Sequence, residues 1–357
     1  MSKQPLKTAA PLDIKHHGSD SESFEREKQL LENEKNFWRD TGKRVLKEWR
    51  LYLMYLSLFL IFLFWRYFPL YGLLGAFKVN MTTLPVLQRD FVGLSWYRTL
   101  MFGADAANFW VAFRNTFMLS FYGLLFGFPI PIILALFFNE VKSDIVRSGF
   151  QILTYLPKFV STVVVTSIIS LLLKSGISGN SPGIVSRLLY DMGLISDTVL
   201  TGGMLKFSEY FRAIFIISGI WEAAGYGSIV FFAAIITIPQ SRYEAALIDG
   251  ANKMAQIRYV VIPGISSTII IMLVLRIGEL LNVGYEKVLL LQSSTNYHET
   301  DIISTYVFRR SGMEAGGGTN TNQALSSAAD LIAAVLSMIL VVGSNYVSKR
   351  ISKVSLY

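Results

Sequence analysis

The sequence predicts an all-α, polytopic membrane protein with six transmembrane helices, and three observations lead to that class. Of the 357 residues, 52% are hydrophobic and only 16% are charged, whereas soluble domains carry roughly 25% charged residues. Six apolar segments are each long enough to cross the hydrocarbon core of a bilayer, which takes about 20 residues of helix. Lys and Arg are concentrated in alternate polar regions, as in proteins that cross a membrane repeatedly.

In chain order, the predicted spans cover residues 51–69, 115–138, 150–173, 210–237, 263–286 and 329–347. The first ends in Arg66-Tyr67-Phe68-Pro69, a basic and aromatic group typical of the membrane interface. The second contains Pro129 and Pro131, which predict a kink because proline removes a helical hydrogen bond. In the third, Lys158 lies near a span end, so we expect it to snorkel to the interface.

The distribution of positive charge predicts that both termini are cytoplasmic. The polar regions that would then lie inside (1–50, 139–149, 239–262 and 348–357) hold 19 Lys and Arg in 95 residues, against 9 in 120 residues outside. Cytoplasmic loops are the ones that carry this excess. The net charge of +8 therefore points to an anionic lipid surface and not to nucleic acid.

Three regions are predicted: a cytoplasmic tail over 1–50, a transmembrane domain over 51–350 and a short cytoplasmic tail over 351–357. Apolar residues recur at helical spacing among charged ones from about 24 to 50, which favours an amphipathic helix on the inner membrane surface over a solvated tail. Residues 1–23 lack the apolar core of a signal peptide, so the first span itself would direct insertion. The absence of cysteine excludes disulfides and thiolate metal sites.

The polar stretch between the fourth and fifth spans, about 239–263, carries the most informative pattern. Glu244-Ala245-Ala246 is followed by Asp249-Gly250 and, after nine further residues, by Val260-Val261-Ile262-Pro263. We predict one helix up to Asp249, a turn at Gly250 and a second helix, since glycine adopts positive φ without steric cost. Such a helix-turn-helix presents small and charged side chains to a partner protein; the alternative is an ordinary loop with this spacing by chance.

This pattern resembles the EAA loop of binding-protein-dependent (type I) ABC importer permeases, in the branch for carbohydrate uptake and similar to Gram-positive permeases for oligosaccharides and polysaccharides. Further segments of that branch occur over about 50–350: 68–72, 76–78, 218–222, 225–227 and 301–307. The resemblance implies a second permease subunit, two cytoplasmic ATPase subunits that bind ATP and Mg, and an extracellular lipid-anchored solute-binding protein. It also implies a bacterial plasma membrane location and a coupling role for Glu244, Ala245, Ala246, Asp249, Gly250 and Pro263.

No catalytic, cofactor or metal site is predicted in the chain. The phosphate-binding sequence G-x-x-x-x-G-K-[ST] is missing, and the three histidines show no metal-ligand spacing. Hydrolysis of ATP is therefore expected on separate subunits, and this chain is expected not to be an enzyme.

Polar residues inside spans are candidates for the substrate path, because each is costly when it faces lipid. Planar polar and aromatic side chains together suit sugars, and the fourth and fifth spans supply both: Trp221, Glu222, Tyr226, Arg276, Glu279, Asn282 and Tyr285. Glu279, Asn282 and Glu286 recur at helical spacing, which predicts one shared face. Two alternatives remain open: Arg276 and Glu279 form an internal ion pair, and Trp221 and Tyr226 only pack between helices or belong to an aromatic belt at the membrane interface.

Two other functions compete with oligosaccharide import. The same ABC architecture could carry peptides or other solutes. A secondary transporter driven by an ion gradient would use Glu222, Arg276 and Glu279 as a proton relay, but such folds usually have internal repeats and more spans, and the sequence has neither.

Overall fold

The structure is a computed structural model, which describes residues 47–80, 84–176, 181–293, 295–312 and 321–352. The predicted amphipathic helix at 24–50 lies almost entirely outside the described residues. Among these residues the chain divides into two compact units, one up to Leu70 and one from Tyr71 onward. In the first unit, α1 (Trp49–Phe62) continues as a π-helical turn, Leu63–Tyr67. A 3-10 stretch begins at Phe68 in the first unit and ends at Phe77 in the second.

The described residues of the second unit form helices that are joined by turns and loops, with one isolated β-bridge. Its helices are α2 (Ser95–Phe102), α3 (Ala106–Gly127), α4 (Pro129–Glu140), α5 (Asp144–Tyr155), α6 (Thr162–Leu172), α7 (Ile184–Asp191), α8 (Asp197–Gly202), α9 (Ser208–Ile236), α10 (Gln240–Ile248), α11 (Lys253–Gln256), α12 (Ile262–Gly264), α13 (Ser266–Gly278), α14 (Tyr285–Leu291), α15 (Tyr297–Thr300), α16 (Ile303–Arg310) and α17 (Gln323–Ser352). Short 3-10 turns occupy Val86–Gln88, Leu156–Phe159 and Met204–Lys206, and a π-turn occupies Ile257–Val261.

By length and composition, the described chain has four helices able to cross a membrane, or six if two bent pairs each count as one span. The unbent four are Trp49–Phe77, Ala106–Glu140, Ser208–Ile236 and Gln323–Arg350. They contain the predicted first, second and sixth spans and nearly all of the fourth. At the predicted proline kink, Phe128 keeps helical backbone and Pro129 begins α4, so α3 and α4 remain a single span.

The third predicted span, 150–173, is not one straight helix. The stretch Asp144–Phe159 meets α6 at 100°. Pro157 cannot donate a helical hydrogen bond, and the chain becomes extended at Val160. Ser161 then starts α6 by accepting a hydrogen bond from the Val164 amide, a standard N-cap.

The fifth predicted span, 263–286, differs from the structure in two ways: the chain is bent there, and the helix ends earlier than predicted. A bend of 63° separates Lys253–Gly264 from α13, after Pro263 has removed one helical donor. Helix α13 then ends at Gly278, and turns lead to Gly284 before α14 begins. Glu279, Asn282 and Glu286 therefore do not share one helical face.

Helices α3, α4, α9, α13 and α17 form the bundle. The most extensive packing is between α9 and α4, with α13 against α17 next. One buried cluster joins α4, α9 and the segment before α13, and comprises Ala135, Phe231, Ile235, Ile238, Val261 and Ile265. This cluster packs the base of the α10–α11 loop onto the two helices at the centre of the bundle.

At the other end of the bundle, an ion pair between Arg310 of α16 and Asp105 joins α16 to the start of α3. Both side chains are largely buried, and the guanidinium also lies 5.7 Å from the centre of the Tyr306 ring. We expect Arg310→Ala to cost about 3 kcal/mol of stability, because it leaves a buried carboxylate without its partner. Thermal unfolding of the detergent-solubilised protein measures this.

The matched control is Arg187→Ala. Arg187 pairs with Asp191, but both side chains are more than half exposed, so its loss is expected to cost about 0–1 kcal/mol. Arg310→Gln combined with Asp105→Asn should recover much of the stability. Equal melting temperatures for Arg310→Ala and Arg187→Ala would contradict the assigned role.

Candidate functional site: a capped loop and a midspan cavity

The loop between α9 and α13 is a helix-turn-helix whose two helices are both capped by hydrogen bonds. Helix α10 ends in a Schellman motif: the Gly250 amide donates to the Leu247 carbonyl, and the Ala251 amide donates to the Ala246 carbonyl. Gly250 has φ +77°, in the left-handed region where only glycine is free of strain. The turn predicted at this residue is therefore present.

The second helix of the loop is capped as well. The Asn252 side chain accepts a 2.9 Å hydrogen bond from the Ala255 amide, and the Gln256 side chain donates to the Ala251 carbonyl at 3.1 Å. Together with the turn at Gly250, these bonds connect the start of α11 to the end of α10.

Contacts with α4 hold the base of this loop. The Lys253 Nζ lies 3.2 Å from the Glu140 carboxylate. Burial, assisted by the negative charge of Glu140, raises the pKa of Tyr243, so its phenol stays neutral. Since Lys253 is 71% exposed, this ion pair contributes little stability; the buried cluster beneath the loop contributes more.

The tip of the loop exposes apolar side chains. Leu247, Ile248 and Met254 are 67%, 86% and 71% exposed. Glu244, Ala245 and Asp249 are also exposed, whereas Ala246 is half-buried. An apolar tip rimmed by charges is the composition of a protein-binding patch.

A cavity of about 450 Å³ lies midway along α3, α4 and α9. Its polar wall is formed by Glu222, Lys158, Arg276 and Lys287, and its aromatic wall includes Phe128, Phe215, Tyr226 and Phe231. The volume is in the usual range for a small-molecule site.

A close ion pair dominates the cavity. The Lys287 Nζ donates to the Glu222 carboxylate at 3.0 Å, with the two side chains only 11% and 15% exposed. The same Nζ lies 5.5 Å from the centre of the Phe215 ring, a cation–π distance. This pairing offsets part of the free energy that is needed to bury the two charges inside the bundle.

The structure brings three of the seven predicted path residues, Glu222, Tyr226 and Arg276, to this cavity. The other four lie elsewhere. Trp221 lines a separate apolar cleft of about 700 Å³ between α4, α5 and α9. Tyr285 stacks on Phe308 at 5.2 Å between ring centres, and Asn282 is exposed in the turn after α13.

The alternative pairing of Arg276 with Glu279 exists but is weak. The two charged groups are 3.8 Å apart, and both side chains are more than half exposed. Glu279 therefore engages Arg276 only weakly, and Arg276 lines the cavity whereas Glu279 does not.

Sequence reasoning missed two cavity residues. Lys158 was expected at the interface, but the 100° bend after Phe159 places it on the cavity wall. Lys287 was assigned to a loop because the fifth span was drawn as straight to 286. The available signal was that Gly278 and Gly284 lie in the predicted span and favour a break there.

Comparisons with known proteins agree with these features. Residues 127–353 match the family described as "Binding-protein-dependent transport system inner membrane component". Protein LplB of Bacillus subtilis (strain 168) is 34% identical over 310 residues, covering 86% of this chain and 91% of LplB. The polygalacturonan/rhamnogalacturonan transport system permease protein YteP of the same organism is 32% identical, covering 90% and 95%.

A solved structure is similar over nearly its whole length. It is a chain of a bacterial ABC transporter involved in the import of the acidic polysaccharide alginate, with a TM-score of 0.74, 36% identity, and 89% of this chain and 99% of that chain covered. A second structure, a bacterial alginate ABC transporter in complex with an alginate pentasaccharide-bound periplasmic protein, has the same TM-score and identity and covers 88% of this chain and 99% of that chain. The matched family is one of membrane transport components and not of enzymes. The chain belongs to the family of inner membrane components of binding-protein-dependent transport systems, as its EAA pattern indicated.

Proposed function

We propose that this chain is one of two permease subunits of a bacterial ATP-driven importer, which takes up an oligosaccharide delivered by an extracellular binding protein. The observation that carries the proposal is the capped α10–α11 helix-turn-helix with an exposed apolar tip. Its partner would be a cytoplasmic ATPase subunit, since the sequence has no phosphate-binding loop of its own. Both chain termini and this loop would then lie in the cytoplasm.

Packed side chains connect the loop to the cavity and would transmit a movement of the loop to it. The cluster of Ala135, Phe231, Ile235 and Val261 joins the loop base to α4 and α9. Helix α9 also carries Glu222 and Tyr226 on the cavity wall. A movement of the loop, driven by closure of the ATPases, would therefore tilt α9 and change access to the cavity.

The ion-coupled alternative has weaker support. It needs Glu222, Arg276 and Glu279 as a relay, but Glu279 is not on the wall that the other two share. The carboxylate of Glu222 is moreover already engaged in an ion pair with Lys287 at 3.0 Å.

Purification of the complex from native membranes tests the proposal. We expect a second permease and an ATPase to co-purify with the chain, and ATP hydrolysis in liposomes to rise when a binding protein loaded with an oligosaccharide is added. Stimulation by peptides or amino acids and not by sugars would overturn the substrate class. Recovery without any nucleotide-hydrolysing partner would overturn the importer.

A further inference from the structure

We propose that α7 is an interfacial helix whose apolar stripe, Ile184, Leu188 and Met192, lies in the surface of the lipid bilayer. The partner of this stripe is the boundary between lipid headgroups and acyl chains. Helix α7 comes before the first residue of α9, Ser208, whereas the α10–α11 loop follows its last, Ile236. The stripe is therefore at the opposite end of the bundle from the α10–α11 loop, and it does not line the midspan cavity.

Helix α7 has two apolar faces, and protein covers only one of them. Val185 and Leu189 pack against a buried cluster that joins the end of α6 to α8 and α9. On another face, Ile184, Leu188 and Met192 recur every four residues and are 78%, 58% and 64% exposed. The first face is enough to hold the helix on the bundle. The second leaves a row of apolar side chains for which a covering apolar phase is needed.

The start of α7 is fixed at the level where α6 ends. The Gly183 amide donates to the Lys174 carbonyl at 3.0 Å, and a Cβ atom added at Gly183 would lie 2.2 Å from the Leu172 carbonyl oxygen. Helix α6 belongs to one of the two bent apolar pairs that can each count as a membrane span. Because the last turn of α6 contacts Gly183, α7 begins at the membrane boundary and not farther out in the water.

The exposed surface of α6 leads directly to the stripe. Ile168 and Leu171 are 42% and 67% exposed, and the Leu171 carbonyl oxygen would also lie 2.7 Å from a Cβ atom at Gly183. Lipid that covers this side of α6 therefore reaches Ile184, the first residue of α7. This continuity favours lipid as the covering phase over a soluble partner, which approaches from the aqueous side.

The polar edge of α7 has the position that an interfacial helix requires. Arg187 and Asp191 form an ion pair at 3.1 Å, and both side chains are more than half exposed. At about 100° per residue, this pair lies on the side of the stripe away from Val185 and Leu189. Charged side chains of an interfacial helix stay in the headgroup region and water while the apolar ones enter the acyl boundary. The order around α7 is therefore polar edge, apolar stripe and buried face.

Single-cysteine variants test this placement directly, because the sequence contains no cysteine. Leu188→Cys and Met192→Cys each carry a nitroxide label on the stripe, and Arg187→Cys carries it on the polar edge. The full chain, with the subunits that co-purify, is placed in liposomes, and electron paramagnetic resonance measures access of oxygen and of a water-soluble nickel chelate to each label. We expect the oxygen-to-nickel ratio to be several-fold higher on the stripe than at Arg187→Cys, since oxygen concentrates among acyl chains and the chelate stays in water.

Two further labels set the scale of the measurement. Leu171→Cys, on the exposed side of α6, gives the ratio of a lipid-facing site, and we expect the stripe to approach it. Leu189→Cys, on the buried face of α7, should be poorly accessible to both reagents. Since Leu188 and Met192 are two separate exposed sites, one variant that fails to fold leaves the other to decide.

Each of the other results overturns the lipid assignment. Nickel access on the stripe equal to that at Arg187→Cys shows that the stripe lies in water. Poor access of both reagents to the stripe shows that a second permease or another subunit covers it. High nickel access that falls when a solute-binding protein is added shows a docking surface for that protein. None of these results depends on which solute the chain transports, so oligosaccharide import stands or fails separately.

Discussion

Replacing Gly250 with proline is expected to abolish ATP-driven uptake while the protein still inserts into the membrane. Proline fixes φ near −65°, whereas Gly250 has φ +77°. It also removes the amide that donates to the Leu247 carbonyl. The angle between α10 and α11 would change, and the loop could no longer transmit force as one body. We expect ATP hydrolysis by the assembled complex to continue without transport, which parallel uptake and hydrolysis assays measure.

Two control substitutions separate coupling from folding. Gly193 also has positive φ, +71°, and ends α7 in the same hydrogen-bonding motif, with its amide bonded to Tyr190 and that of Leu194 bonded to Leu189. Gly193→Pro should impose a similar local strain without the specific loss of coupling. Gly250→Asn, which tolerates left-handed backbone, should retain most uptake. Normal transport by Gly250→Pro would contradict the coupling role.

The loop could be predicted from sequence because its determinants are local. A glycine at a left-handed position and a capping Asn252 act within a few residues of chain, so a sequence pattern is enough to indicate them. The sequence pattern indicated a surface of small and charged side chains; the exposed apolar side chains at the tip, Leu247, Ile248 and Met254, were not predicted. The resemblance then implied the partner proposed for this surface, a cytoplasmic ATPase subunit.

The cavity could be predicted only in part, because its geometry depends on where spans bend. Glu222 and Tyr226 were found since a long straight helix keeps its i, i+4 spacing. Lys158 and Lys287 were missed because hydropathy measures length and not direction. Each lies next to a break that a proline or glycine introduces, and each break turns its side chain toward the cavity.

The contact of α9 with α5 leads to the largest expected loss of stability. A Cβ atom added at Gly225 would lie 2.1 Å from the carbonyl oxygen of Thr154. That oxygen belongs to the backbone and cannot rotate away. We expect Gly225→Ala to destabilise the protein by about 3 kcal/mol or more, at the upper end for overpacked cores, and Gly225→Leu to prevent accumulation of folded protein. Thermal unfolding in detergent measures the first.

Gly149→Ala on α5 is the matched control, because an added Cβ there meets no atom within 4 Å. Helix propensity then favours alanine by up to about 1 kcal/mol, so this variant should be as stable as the parent or more so. Since α9 carries Glu222 and Tyr226 next to Gly225, displacement of the helix should also impair uptake in any folded Gly225→Ala protein. Similar melting temperatures and uptake for the two alanine variants would contradict this close packing of α9 on α5, because a Cβ atom at Gly225 would then have room beside the Thr154 carbonyl oxygen.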